Sequence, residues 1–185
     1  MNLMTRASLL AATTTIALAA GVFAPAAAER AGFSDPADVG GASLNDIRHV
    51  RVDHRVDGLD VTVRFADLRR HSGGGGPAGL AIRFDTDSRR YGPEFRLTSG
   101  LYAGTDYQLM KVHANRPVGE PLSCPHRVRL DYAKDRLRFH ATSGCLGSPS
   151  RVRIGVKMTD EFDGSHPVTD WLGEPRSYTP WVPSS

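Results

Sequence analysis

The chain has 185 residues, with 23 Lys and Arg against 20 Asp and Glu, a formal charge of +3, and 40% hydrophobic residues. That length supports one domain with a real core and excludes two. So small a net charge argues against nucleic acid as a partner.

The first stretch places Arg6 ahead of an apolar run from Leu9 to Phe23, followed by Ala26-Ala27-Ala28 and then Glu29. That order predicts an export signal over residues 1–28, cut after Ala28, leaving 29–185 as a single secreted domain. The apolar run is about 15 residues, short of the roughly 20 that a membrane-spanning helix needs, so no membrane span is expected in the mature form. Residues 29–46 hold Gly32, Pro36, Gly40 and Gly41 among Asp35, Asp38 and Asp46, and read as an irregular lead-in.

From there the period is two. Apolar residues alternate with polar ones around Val50 and Val52, then through Leu59-Val61-Val63-Phe65, Leu80-Ile82-Phe84, Phe95-Leu97 and Tyr107-Leu109. They continue through Val128-Leu130-Tyr132, Leu137-Phe139-Ala141 and Val152-Ile154-Val156-Met158. Each set puts its apolar side chains on one strand face. About eight short strands separated by Gly, Pro, Asp and Ser clusters predict an all-β fold, a sandwich or barrel, and two antiparallel sheets packed face to face as a β-sandwich would bury the alternating positions. The run Gly73-Gly74-Gly75-Gly76-Pro77 reads as a loop, since no Lys-Ser/Thr pair follows it as a phosphate-binding loop requires.

The strands around Val128–Tyr132 and Leu137–Ala141 are expected to form a hairpin with Lys134 and Asp135 at its tip. Tyr132 then faces Leu137, Leu130 faces Phe139, Val128 faces Ala141, and Cys124 falls opposite Cys145. Both cysteines lie in the exported part, so one disulfide at the open end of the hairpin is predicted. The tail, residues 171–185, carries Trp171, Pro175, Pro180 and Trp181 and reads either as a plug on the sandwich or as a ligand platform.

Three groups of residues carry candidate chemistry. Asp35, Asp38, Asp46, Asp85 and Asp87 lie on loop or strand-end backbone, where carboxylates either cap turns or supply the hard oxygens of a structural Ca²⁺. Tyr91, Tyr102 and Tyr107 sit near strand ends, where flat rings stack on sugars or cover a core. In the hairpin register Arg127 and Arg129 face outward beside Arg136 and Arg138, with Asp131 opposite Arg138; Arg151 and Arg153 join them if their strand shares that sheet. Such a face is either merely solvated or attracts an anionic polymer. No Gly-x-Ser-x-Gly elbow, His-Glu-x-x-His pair or free cysteine is present, so no catalytic residue is assigned and a hydrolase is the least favoured reading.

Taken together, Asp35-Pro36-Ala37-Asp38-Val39, Asn45-Asp46-Ile47-Arg48-His49-Val50, Phe84-Asp85-Thr86-Asp87, Gly92-Pro93-Glu94-Phe95 and Thr105-Asp106-Tyr107 resemble small exported actinobacterial proteins of unassigned function. The layout is also similar to the β-sandwich modules of the DOMON and family-9 carbohydrate-binding type. That resemblance implies a jelly-roll-like sandwich that binds carbohydrate, with a structural calcium ion. The expectation is a secreted, non-enzymatic domain that binds carbohydrate, as polysaccharide, or an anionic cell-envelope polymer; the alternative is a structural or protein-interacting domain without a small ligand.

Overall fold

The structure is a computed structural model that describes residues 29–39, 42–71, 78–160 and 166–185. The expected export signal and the Gly73–Pro77 run lie outside the described residues. Twelve strands form two antiparallel sheets: β1 (Glu29–Ser34), β2 (Ile47–Arg55), β3 (Gly58–Phe65), β4 (Ala78–Asp85), β5 (Phe95–Gly100), β6 (Tyr107–His113), β7 (Arg116–Val118), β8 (His126–Asp131), β9 (Arg136–Thr142), β10 (Arg151–Asp160), β11 (Val168–Trp171) and β12 (Val182–Pro183). The first sheet runs β1-β2-β3-β9-β8, and the second runs β11-β10-β4-β5-β6-β7 with β12 also pairing β10.

The two sheets stack because the alternation gives each one an apolar face. Val50, Val52, Val61, Val63, Leu137 and Phe139 from the first sheet meet Leu80, Ile82, Phe84, Leu97, Ile154 and Val156 from the second in one buried cluster. The Phe84 and Phe139 rings touch across the layers, with centroids 5.1 Å apart. Burying such side chains contributes roughly 1.5–3 kcal/mol each, which makes this seam the main source of stability.

The alternating runs account for eight of the strands. The other four are β1, β7, β11 and β12, of which the last three have four residues or fewer. Residues 29–34, expected to be irregular, instead form β1 along β2, with Ala31 opposite Val52 and Phe33 opposite Val50. After Ser34 the described residues 35–39 and 42–46 form no strand before β2 begins at Ile47.

The disulfide between Cys124 and Cys145 forms, with Cα atoms 5.5 Å apart. The hairpin register differs from the expected one by two residues: Val128 faces Phe139, Leu130 faces Leu137, and Asp131 faces Arg136. The reason lies in the tip, where Tyr132–Lys134 form a 3-10 turn and Asp135 takes a left-handed conformation with φ 48°. A shift of two keeps every side chain on its expected face. Asp131 therefore pairs with Arg136, at 2.8 Å, and not with Arg138.

The tail lies over the outer face of the second sheet. Its rings interleave with cations of β4 and β10: Arg83 stacks on Trp171 and Tyr178, Arg153 on Tyr178 and Trp181, Arg151 on Trp181, and Lys157 on Trp171, all between 4.7 and 5.5 Å from the ring centroids. Such contacts within about 6 Å contribute of order 0.5–1 kcal/mol each at exposed sites. Beneath the tail, β10 has no side chain at Gly155, where a Cβ would come within 2.8 Å of the Ser177 carbonyl oxygen.

Candidate functional sites

Two features stand out, an acidic cluster at one edge of the sandwich and a cationic groove on the second sheet. The loop from Asp35 to Asp46 leaves β1 at the edge of the first sheet and reaches the end of the second. Ser43 and Asn45 donate from it to Asp160, the last residue of β10, at 2.6 and 3.2 Å. The loop thereby brings Asp35, Asp38 and Asp46 up to Asp170 of β11, so that one carboxylate oxygen from each lies within 4.8 Å of the others.

Asp35, Asp46 and Asp170 are buried, with Asp46 and Asp170 each only 2% exposed. One oxygen of each has a protein partner. Gly173 N–H donates to Asp35 Oδ1 and Ile47 N–H to Asp170 Oδ2, both at 2.6 Å, and Arg48 lies 2.9 Å from Asp46 Oδ2. The second oxygens, Asp35 Oδ2, Asp46 Oδ1 and Asp170 Oδ1, are buried with no partner. Burial, reinforced by the neighbouring carboxylates, raises the pKa of all three and pushes Asp170 up to about 7.

Of the five aspartates expected to act together, two are elsewhere. Asp85 is fully buried against Arg153 at 2.6 Å, and Asp87 is held by Arg89 at 2.9 Å. The hydrogen bonds from Arg89 lower the Asp87 pKa to about 2. Pairing explains the separation: Asp85 aligns with Arg153 near the start of β10, whereas Asp170 aligns with Met158 near its end. Five residues of strand set those positions about 16 Å apart. Asp170 takes their place in the cluster.

The groove, of about 770 Å³, crosses the outer face of β10, β4, β5 and β6. Trp171 and Arg176 of the tail line one side, Tyr102 and Tyr107 the other, and Arg83, Arg96, Thr98, Gln108 and Lys157 lie between. Tyr91 does not line it and stands fully exposed. Arg83 and Arg96 are directly opposite each other on β4 and β5. Like charges in that position repel. Arg83 Nη2 and Arg96 Nε are nevertheless buried without a hydrogen-bond partner. Against Arg83, Arg96, Lys157 and Arg176, Asp106 is the one carboxylate residue among the described residues that line the groove.

The six-arginine face divides between the two sheets. Because β10 belongs to the second sheet, Arg151 and Arg153 lie beneath the tail, while Arg127, Arg129, Arg136 and Arg138 remain on the first. Arg64 of β3 joins the latter group opposite Arg136, whose charge Asp131 offsets. Arg64, Arg127, Arg129 and Arg138 are exposed. No helix among the described residues is long and apolar enough to cross a membrane.

Sequence reasoning missed Asp170 and the Arg83–Arg96 pair. The one signal for Asp170 is its spacing of two from Val168 just before an aromatic tail, and four residues are too few for alternation to register. The arginine pair was hidden by register, which brings together residues from separate strands. No protein-family model matches the chain, and no curated protein matches it.

Proposed function

We propose that the protein is a secreted, non-enzymatic β-sandwich that binds an acidic polysaccharide segment in the groove of the second sheet. The observation that carries this reading is the opposed Arg83–Arg96 pair, with buried donors that no protein group satisfies. A buried unpaired donor costs about 1–3 kcal/mol, more for a charged group. A carboxylate or sulfate bridging the two guanidiniums removes both that cost and their repulsion.

Shape and composition support a sugar as the bearer of that anion. The groove volume lies within the usual ligand-site range of about 300–1,000 Å³. Trp171, Tyr102 and Tyr107 supply flat faces at its sides, and Thr98, Gln108 and Thr159 supply hydroxyl and amide partners. Neutral glucans lack the charge that Arg83 and Arg96 call for.

Retention of the protein on immobilised polygalacturonate, compared with neutral dextran, tests the proposal. Binding is expected to the acidic polymer only, to weaken as salt rises, and to fall at least tenfold in Arg96→Gln and Trp171→Ala. A second reading uses the exposed arginines of the first sheet. Loss of retention in Arg129→Gln/Arg138→Gln with Arg96→Gln unchanged would move the site to that face, and no retention on either polymer would overturn polysaccharide binding.

A further inference from the structure

We propose that Asp35, Asp38, Asp46 and Asp170 bind one calcium ion that fastens the β1–β2 loop to β11 and the start of the tail. The cluster is built from both ends of the chain, which makes it a junction: the loop supplies three carboxylates and β11 the fourth. Three of the four residues are more than nine-tenths buried, each with one carboxylate oxygen that has neither water access nor a protein donor. The partnered oxygens are held by Gly173, Ile47 and Arg48, so the carboxylates cannot turn to solvent without breaking those contacts.

Buried carboxylates this close are relieved either by a proton or by a cation held between them. Among the described residues the ion pair the group makes is that of Arg48 with Asp46, on one side of the cluster. The donor set is all oxygen, which selects a hard cation over zinc. Mg²⁺ demands near-ideal octahedral geometry, keeps several of its waters and is usually held by one or two carboxylates, so four converging protein carboxylates favour the larger and more permissive Ca²⁺. The carboxylates supply at least four of the 6 to 8 ligands that calcium takes, and the exposed Asp38 marks the side from which water completes the set.

The site is independent of the groove reading, because its test uses no saccharide. The full chain, stripped with chelator, is titrated with CaCl₂ by calorimetry and melted at each concentration. One ion is expected to bind per chain, and Tm to rise by about 5–10 °C at calcium a hundredfold above its Kd. Asp170→Asn should bind calcium at least tenfold more weakly, yet melt in chelator no lower than the unmodified protein, because it removes an uncompensated charge. Asp38→Asn, at the exposed member, should also weaken binding, and Asp87→Asn should leave it unchanged. If Asp170→Asn does not fold, the comparison of Asp38→Asn with Asp87→Asn decides. Absence of a calcium response, undiminished affinity in Asp38→Asn, or an equal response to MgCl₂ at the same concentration would overturn the assignment.

Discussion

Asp85 has no exposed surface, and its charge is tolerated because Arg153 reaches it from the neighbouring strand while stacking on Tyr178 and Trp181. Truncating Arg153 to Met removes the counter-charge and leaves the carboxylate buried, which costs about 3–5 kcal/mol. Urea denaturation of Arg153→Met should show that loss, and the double variant Asp85→Asn/Arg153→Met should recover most of it; a single-variant loss below about 1 kcal/mol would mean the pair contributes little. Asp170 follows the opposite logic, since its neighbours are Asp35, Asp38 and Asp46, and the one hydrogen bond it accepts, from Ile47, does not offset its burial. Its pKa is higher folded than the ordinary carboxylate value, so the folded state binds a proton more tightly than the unfolded chain does. In chelator, the stabilising effect of that proton is therefore complete below about pH 4 and is lost as pH rises toward about 7. Melts in chelator should show a cluster-dependent fall in Tm across that window, smaller in Asp170→Asn. A Tm difference between the two proteins that does not vary with pH would contradict it.

Among the elements, the β8–β9 hairpin shows how two-residue periodicity succeeds and where it stops. Alternation predicts which side chains of Val128, Leu130, Leu137 and Phe139 turn inward, because facing depends only on parity. It cannot set which residues pair, because that depends on how many residues the tip consumes, and a 3-10 turn ending in a left-handed Asp135 was not legible from Lys134-Asp135. The disulfide tolerates the difference, since Cys124 and Cys145 lie just beyond the paired segments, near the start of β8 and in the short turn after β9. It spans a separation of 21 residues, for which chain entropy gives about 3 kcal/mol. Cys124→Ser/Cys145→Ser should lose about that much in urea denaturation. A much larger loss would show that the bridge organises the native packing as well as restricting the unfolded chain. The remaining strands were illegible for a different reason. A two-residue β12 or an all-exposed β7 carries no alternation, and β1 has glycine at Gly32 where a side chain would have continued the pattern.

At the scale of the molecule, the acidic cluster and the groove share the β11–tail segment. Asp170 sits in the cluster, its chain neighbour Trp171 lines the groove, and Gly173 donates to Asp35 two residues later. An ion at the cluster thus holds both ends of the short stretch that positions Trp171 over Arg83, whereas Trp181 is fixed farther along, by Arg151 and Arg153 and by the pairing of β12 with β10. Removing the ion leaves three buried carboxylates to repel one another, and the least costly relief is for β11, a four-residue edge strand whose backbone ladder among the described residues is with β10, to move outward. The two tryptophans of the chain can be separated by substitution, with Trp181→Phe reporting Trp171 and Trp171→Phe reporting Trp181. Chelation should therefore increase acrylamide quenching of Trp171 and restore its protection when calcium is added back, while the quenching of Trp181 stays constant. Equal changes at both rings would indicate general loosening of the tail, and no change at Trp171 would mean that the groove wall stands without the ion.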